Sequence, residues 1–342
     1  MSKKVGYVGG FWASNIGNSF YNIGAIHILK KLYGEDNVFF IPDPPQHLWT
    51  WVRNDYNLIQ NLDLDLFIFS GPCLDRGFIK TYKKTFDELK KKNKSIAFIS
   101  VSVSKKDENE AKIVSDFLNN YNIEYFMTRD EISFNLYKNL INAPVFNGLC
   151  TSMFLNDAVK FPKLLDSFIV YNFSVFIEPK ISLTGTKVKV SKGSVFSFKS
   201  FLNKSKILRT NNETFKSSKF SIYINIILNR LFKIDLYHSV FSPYVKNNTY
   251  YSDLPYGYFS ILKSAELVFS DRVHTCAATL IFGGKAMYVK HASRSNDTRN
   301  SLFSRIGLPD IYTKPVSLNM NYIENEKKEM LEFLKIIIDK SC

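Results

Sequence analysis

Short apolar runs alternating with amphipathic helical segments predict an α/β protein, built on mostly parallel sheets covered by helices. Three observations carry that expectation. Residues 4–140 alternate strand and helix patterns with few interruptions. Glycines follow the first strand, in GGFWASNIGNS (Gly9–Ser19). Towards the other end, ELVF, SDRVHT, CAATLIF, GGK and AMYV (266–289) read in turn as strand, corner, helix, stop and strand.

The elements follow in chain order. KVGYVGG (4–10) is a strand running into glycines, and SFYNIGAIHILKKLYG (19–34) an amphipathic helix stopped by Gly34. NVFFIPD (37–43) and DLDLFIFSG (63–71) are the next strands. A basic helix over 78–93 leads to the strand SIAFISVSV (95–103). The spacing then predicts a helix over 108–122, a strand over 123–130 and a helix over 131–140. Beyond residue 160 the pattern loosens. FIVYNFSVFI (168–177) is strand-like, and 180–200 is a polar stretch with short Val and Phe alternation, a hairpin or an insertion. KILRT (206–210) and IDLYH (234–238) look like strands, SIYINIILNRLF (221–232) like a helix or helix pair. GYFSILKSA (257–265) is a helix feeding the corner, and EKKEMLEFLKIIIDK (326–340) a closing amphipathic helix.

Composition bounds the function classes. The chain has 342 residues, 45% apolar, enough for one large or two medium domains with their own cores. With 45 Lys and Arg against 31 Asp and Glu, the net charge is +14, a field that concentrates anionic partners. No zinc-finger spacing or helix-turn-helix pattern supports nucleic acid as that partner. The abundant Phe and Tyr (30 and 19) read as genome bias before they read as an aromatic ligand site. Cys73, Cys150, Cys276 and Cys342 are scattered without a CxxC pair, as in a reducing compartment. MSKKVGYVGG leaves no room for a signal-peptide apolar region, and no run approaches a spanning helix, so a cytoplasmic protein is expected.

Four places can carry chemistry. In open α/β sheets ligands bind where strand carboxyl ends meet helix amino ends, and the unpaired N–H groups there favour anions. Arg272 and His274 stand at such a corner, so an anion and a proton transfer both suit it. The plain alternative for a lone histidine is a structural role. Ser270 and Thr275 flank the pair as further candidates for donor contact. Arg129, in MTRDEIS, falls at a strand end and suits a clamp on carboxylate or phosphate, or equally an ion pair with a neighbouring acid. The first glycine loop lacks both GxGxxG and a Walker GK[ST]. Its Gly10, Asn15 and Asn18 suit close approach to a sugar or donor, or simply a turn and cap. KHASRSNDTRNS, with Lys290, Arg294 and Arg299, either completes an anion pocket or is solvated. No cluster with metal-ligand spacing is present, so neither metal nor cofactor is expected.

YFSILKSAELVFSDRVHTCAATLIFGGKAMYV (258–289) resembles the C-terminal signature of the polysaccharide pyruvyltransferase family, with its Arg-x-His motif and small-residue helix. TRDEISFNLYKNL is similar to the family's central R-(D/E)-x-x-S segment, and GYVGG…NIGNSFYNIGAI to its N-terminal glycine–asparagine stretch. Three departures accompany the likeness. Asn18–Ser19 stands where many members have an acidic residue, Gly284–Lys285–Ala286 lacks the usual proline, and NGLCTSMFL (147–155) replaces an aspartate-bearing stretch.

The resemblance implies two Rossmann-like domains facing a cleft, in the manner of GT-B glycosyltransferases. Residues 1–160 would form the first and 161–325 the second, which carries the Arg-x-His motif, with 326–342 a C-terminal helix packing back on the first. It also implies transfer of a pyruvyl group from phosphoenolpyruvate to two hydroxyls of a sugar in a cell-surface glycan precursor, forming a ketal. Arg272 and His274 would then be the core of the phosphoenolpyruvate site, and Arg129 a contact to the donor's phosphate or carboxylate. A lipid-linked acceptor would suit a basic protein at an anionic membrane face, and the oligomeric state stays open. Two other classes remain: a GT-B-like glycosyltransferase with a nucleotide-sugar or other phosphorylated donor, and a non-catalytic module binding glycan or phosphate.

Overall fold

The structure is a computed structural model describing residues 3–10, 16–42, 58–71, 74–103, 105–165, 168–172, 181–184, 187–190, 194–197, 221–224, 249–250, 254–289 and 298–340. The readings for 206–210 and 234–238 lie outside these residues, as does most of 221–232.

The first half is a six-stranded sheet in the order β2-β1-β3-β4-β5-β6, every neighbour pair parallel. Its strands are β1 (Val5–Gly9), β2 (Val38–Pro42), β3 (Leu66–Gly71), β4 (Ser95–Val101), β5 (Ile123–Thr128) and β6 (Val145–Asn147). The three-residue β6 was not expected, because a proline-flanked run that short carries no periodicity. Helices α1 (Gly17–Tyr33), α2 (Arg76–Lys91), α3 (Glu108–Leu118) and α4 (Glu131–Tyr137) connect the strands.

Local chemistry explains those helices. Asp75, Asp107 and Asp130 cap α2, α3 and α4, accepting from the backbone N–H of Phe78 (2.8 Å), Glu110 (3.0 Å) and Ser133 (2.9 Å). α1 ends at Gly34, whose φ of 96° a side chain would resist. On α2, Phe78, Tyr82, Phe86 and Leu89 recur at helical spacing and are buried, while the intervening lysines stay wet. The three rings pack on Phe69 of β3, with Phe86 5.1 Å away and Tyr82 at a steep angle. Burying each such ring contributes about 2–3 kcal/mol.

The second half holds a five-stranded parallel sheet in the order β12-β11-β7-β13-β14. These are β7 (Ile169–Asn172), β11 (Ser221–Ile224), β12 (Thr249–Tyr250), β13 (Leu267–Ser270) and β14 (Ala286–Tyr288). Ser221–Ile224 therefore corrects the helix expected over 221–232. Four residues cannot separate the two periods, and pairing with β7 decides for strand. Between them β8 (Ile181–Thr184), β9 (Lys187–Val190) and β10 (Ser194–Ser197) form an antiparallel meander in the region read as hairpin or insertion. α5 (Leu155–Ala158) precedes β7; α6 (Tyr256–Ser264), α7 (Val273–Ile281), α8 (Leu302–Arg305) and α9 (Met320–Lys340) follow.

One apolar cluster runs through both halves, joining Phe20 of α1 to Phe259 of α6 at 5.0 Å. α9 stacks Phe333 on Phe146 at 4.6 Å, and its buried Lys327 ammonium holds Asp157 (2.7 Å) and Asn156 (2.9 Å). Among the described residues no helix is long and apolar enough to cross a membrane.

Candidate active site

The site begins at the carboxyl ends of the first sheet. Gly10, just past β1, is clamped by Asn22 of α1: the Asn22 amide donates to the Gly10 carbonyl (2.8 Å), and its Oδ1 accepts from Gly10 N–H (3.2 Å). Tyr7 donates its hydroxyl to the same Oδ1 at 2.9 Å. A Cβ on Gly10 would stand 2.0 Å from the Tyr21 hydroxyl, and one on Gly71 3.0 Å from it. The glycines thus make a notch for the end of one tyrosine. Asn18 sits beside it, its amide nitrogen 3.0 Å from the same Gly10 Cβ position. Asn15 lies outside the described residues.

Tyr21 then reaches the second half, its ring 5.1 Å from that of His274 and inclined by 49°. Sequence reasoning missed Tyr21, because a tyrosine on the apolar face of an amphipathic helix looks like ordinary core. It also missed Asn172, at the end of β7. The Ser270 hydroxyl lies 2.7 Å from the Asn172 carbonyl and 3.0 Å from its Oδ1, and Thr275 donates to that Oδ1 at 2.6 Å. Ser270 Oγ also accepts from Arg272 N–H at 2.9 Å. Ser270 and Thr275 are wholly buried and direct their hydroxyl protons to Asn172, which pins the corner between β13 and α7.

The helix expected to start at Cys276 begins at Val273 instead, with Arg272 as its N-cap residue in extended conformation. His274 therefore lies inside the first turn, where the dipole is positive. Thr275 to Ile281 are all buried, whereas Arg272, Val273 and His274 are half-buried.

Arg129 follows β5, and its backbone N–H donates to the Val101 carbonyl at 3.1 Å. Its side chain is 1% exposed, which removes the reading of a surface arginine. Among the described residues its Nε and Nη1 have no hydrogen-bond partner. Asp130 beside it caps α4, with its second oxygen 3.1 Å from the Ser133 hydroxyl. Burial pushes the Asp130 carboxyl above the usual range, opposed by Ser133, the Arg129 charge and Ser301. Next to this edge Ser100 adopts φ 56°, a left-handed conformation uncommon outside glycine, with its hydroxyl accepting from Thr151 N–H at 3.2 Å.

The segment after β14 also reaches this edge. Thr298 donates its hydroxyl to the Val103 carbonyl at 2.7 Å, and Ser301 meets Asp130. Arg299 lies on this short 3-10 turn, Thr298–Ser301, its side chain outside the description; Lys290 and Arg294 also lie outside. Second-half residues thus approach the first sheet's carboxyl edge at two points, His274 through Tyr21 and Thr298–Ser301 beside Arg129. Among the described residues no group of three or more His, Cys, Asp or Glu is placed to hold a metal ion.

S. aureus MnaA, in a co-structure with UDP, is 9% identical and superposes with a TM-score of 0.50 over 98% of this chain and 90% of that one. The UDP-GlcNAc 2-epimerase from Neisseria meningitidis, bound to UDP-GlcNAc, is 13% identical with a TM-score of 0.47 over 96% and 99%. At such identity the first of these shows the fold, two Rossmann-like halves in a GT-B-like architecture. No curated protein matches the sequence significantly. The model of the family described as polysaccharide pyruvyl transferase matches residues 15–293, a span that includes Arg129, Arg272 and His274. By that match over most of its length, the chain belongs to the polysaccharide pyruvyl transferase family.

Proposed function

We propose that the protein modifies a sugar, taking a phosphorylated donor where the carboxyl edge of the first sheet meets the start of α7. Arg129 carries this reading. A guanidinium stays charged at any physiological pH, and burying its N–H donors without hydrogen-bond partners is costly even with Asp130 nearby. With Nε and Nη1 lacking partners among the described residues, an anionic ligand is its natural complement.

Within that class we favour pyruvyl transfer from phosphoenolpyruvate, which family membership supports. One sugar hydroxyl adds at C2 of the enol while a proton arrives at C3, giving a methyl group and a phosphorylated tetrahedral carbon. Phosphate then leaves, a second hydroxyl bonds to C2, and its proton departs with the phosphate. The products are a pyruvate ketal and inorganic phosphate. Arg129 and Arg272 hold the carboxylate and phosphate and offset charge on the leaving group. His274, kept in place by Tyr21, either delivers the C3 proton or accepts one from the hydroxyl. Ser270 and Thr275 act by fixing Asn172 and the helix start. The acceptor is a saccharide, and a lipid-linked one suits the net charge of +14 at an anionic membrane face.

The fold supports a second reading, a nucleotide-sugar donor, since S. aureus MnaA of this architecture is seen with UDP. Thermal shift with phosphoenolpyruvate against UDP and UDP-sugars separates the two. Phosphate release from phosphoenolpyruvate with a saccharide acceptor should fall at least a hundredfold in His274→Ala and Arg272→Ala. Unchanged release from folded variants would remove these residues from the mechanism.

A further inference from the structure

Arg129 is not alone in having buried polar atoms without partners at this edge. The hydroxyls of Ser70 and Ser102 are also buried with no hydrogen-bond partner among the described residues. Ser70 lies on β3, Ser102 directly after β4, and Arg129 directly after β5, three adjacent strands of one parallel sheet. Register places Val101 opposite Thr128, so Ser102 and Arg129 are each one residue further along the same edge. Ser70 stands opposite Ile99 and Gly71 opposite Val101, so Ser70 lies two residues behind the other two along its strand. With strands about 4.8 Å apart and a rise of about 3.3 Å per residue, the three backbone positions span about 12 Å.

The three also share a face. Side chains alternate across a strand. Phe69, Val101, Val103 and Phe126 belong to the cluster on the α2–α3 side. Ile68, Ile99 and Met127 belong to the cluster on the α1 side. Ser70 follows Phe69, Ser102 sits between Val101 and Val103, and Arg129 stands two residues past Met127. All three therefore take the α1 side, the side from which Tyr21 meets His274. Leaving a buried hydroxyl unpaired is costly, and three unsatisfied side chains on adjacent strands concentrate that cost at one place.

We propose that Ser70, Ser102 and Arg129 form one oxyanion cradle, in which both hydroxyls donate to the carboxylate or phosphate that Arg129 neutralises. The cradle deepens the reading of a phosphorylated donor and rests on it for the ligand's class. Hydroxyl donors flanking a guanidinium fix an anion's orientation as well as its charge, so the serines set which end of the donor faces His274.

Titration calorimetry and thermal unfolding of the full chain test this, with phosphoenolpyruvate, UDP, inorganic phosphate and pyruvate as probes. Ser102→Ala and Ser70→Ala should unfold no earlier than wild type without ligand, since neither hydroxyl holds the fold. Each should weaken binding of the preferred donor roughly tenfold, and Ser102→Thr should restore most of it. Competition by phosphate or by pyruvate, lost in the serine variants, identifies the group in the cradle. If wild type prefers UDP and the serine variants lose UDP, the cradle stands and pyruvyl transfer falls. Serine variants that bind every probe like wild type overturn the cradle, whatever the donor. So does a wild type that binds none of the four, which removes the donor reading as well.

Discussion

Tyr21 shows how a single residue joins the two halves chemically. Its hydroxyl occupies the space that side chains at Gly10 and Gly71 would fill, and its ring faces His274. Gly10→Ala should therefore cost about 1–3 kcal/mol by forcing the phenol away. Adding Tyr21→Phe removes the clashing oxygen, so the double variant should lose less than the two single costs summed. Denaturant titration of the four proteins measures that coupling. A second residue-level expectation concerns His27 on α1, whose pKa is lowered from 6.5 chiefly by burial, with Lys31 and Lys327 adding to the shift against Asp157 and Glu35. The unfolded chain then binds the proton more readily than the folded one. His27 contributes stability that is present above pH 6.5 and lost as pH falls through its folded value. Stability should decline on that acid side, and His27→Gln should flatten this part of the profile.

At the scale of elements, α1 is the most constrained piece. A Cβ on Gly24 would stand 1.9 Å from the Thr151 carbonyl oxygen, so the helix packs with its backbone against the 3-10 turn Thr151–Phe154. Backbone cannot swing aside as a side-chain tip can. Gly24→Ala is expected to lower stability by about 3 kcal/mol or more, and to reduce turnover among molecules that remain folded, because Tyr21 rides on the same helix. Melting temperature and donor turnover, measured together, check both parts; an unchanged melt would mean that α1 is not seated this tightly. Most of these elements are legible locally. The aspartate caps of α2, α3 and α4, the spacing of Phe78, Tyr82, Phe86 and Leu89, and Gly34 are written within a few residues of where they act. β6 and β11 are not, since three or four residues carry no usable period and take their conformation from the strands beside them.

For the molecule as a whole, α9 closes the structure by burying Ile323, Met330, Leu334 and Ile337 and stacking Phe333 on Phe146. Phe333→Ala should cost about 2–3 kcal/mol, read as an earlier denaturant midpoint with the slope unchanged. The net charge of +14 acts over longer distances. Donor capture should weaken as salt rises, so KM should climb between low and physiological ionic strength while kcat holds.

The alternation of strands and helices, the glycines after β1 and the Arg-x-His corner were readable in the chain because each is a pattern confined to a short window. The burial of Arg129, the part played by Tyr21, the commitment of Ser270 and Thr275 to Asn172 and the grouping of Ser70 with Ser102 were not. Each depends on which strands lie side by side and which face of the sheet receives a helix, and residues as far apart as 98 and 130 positions set those neighbours. Alternation tells a strand which two faces it has. Only packing decides which of them becomes core and which holds an anion.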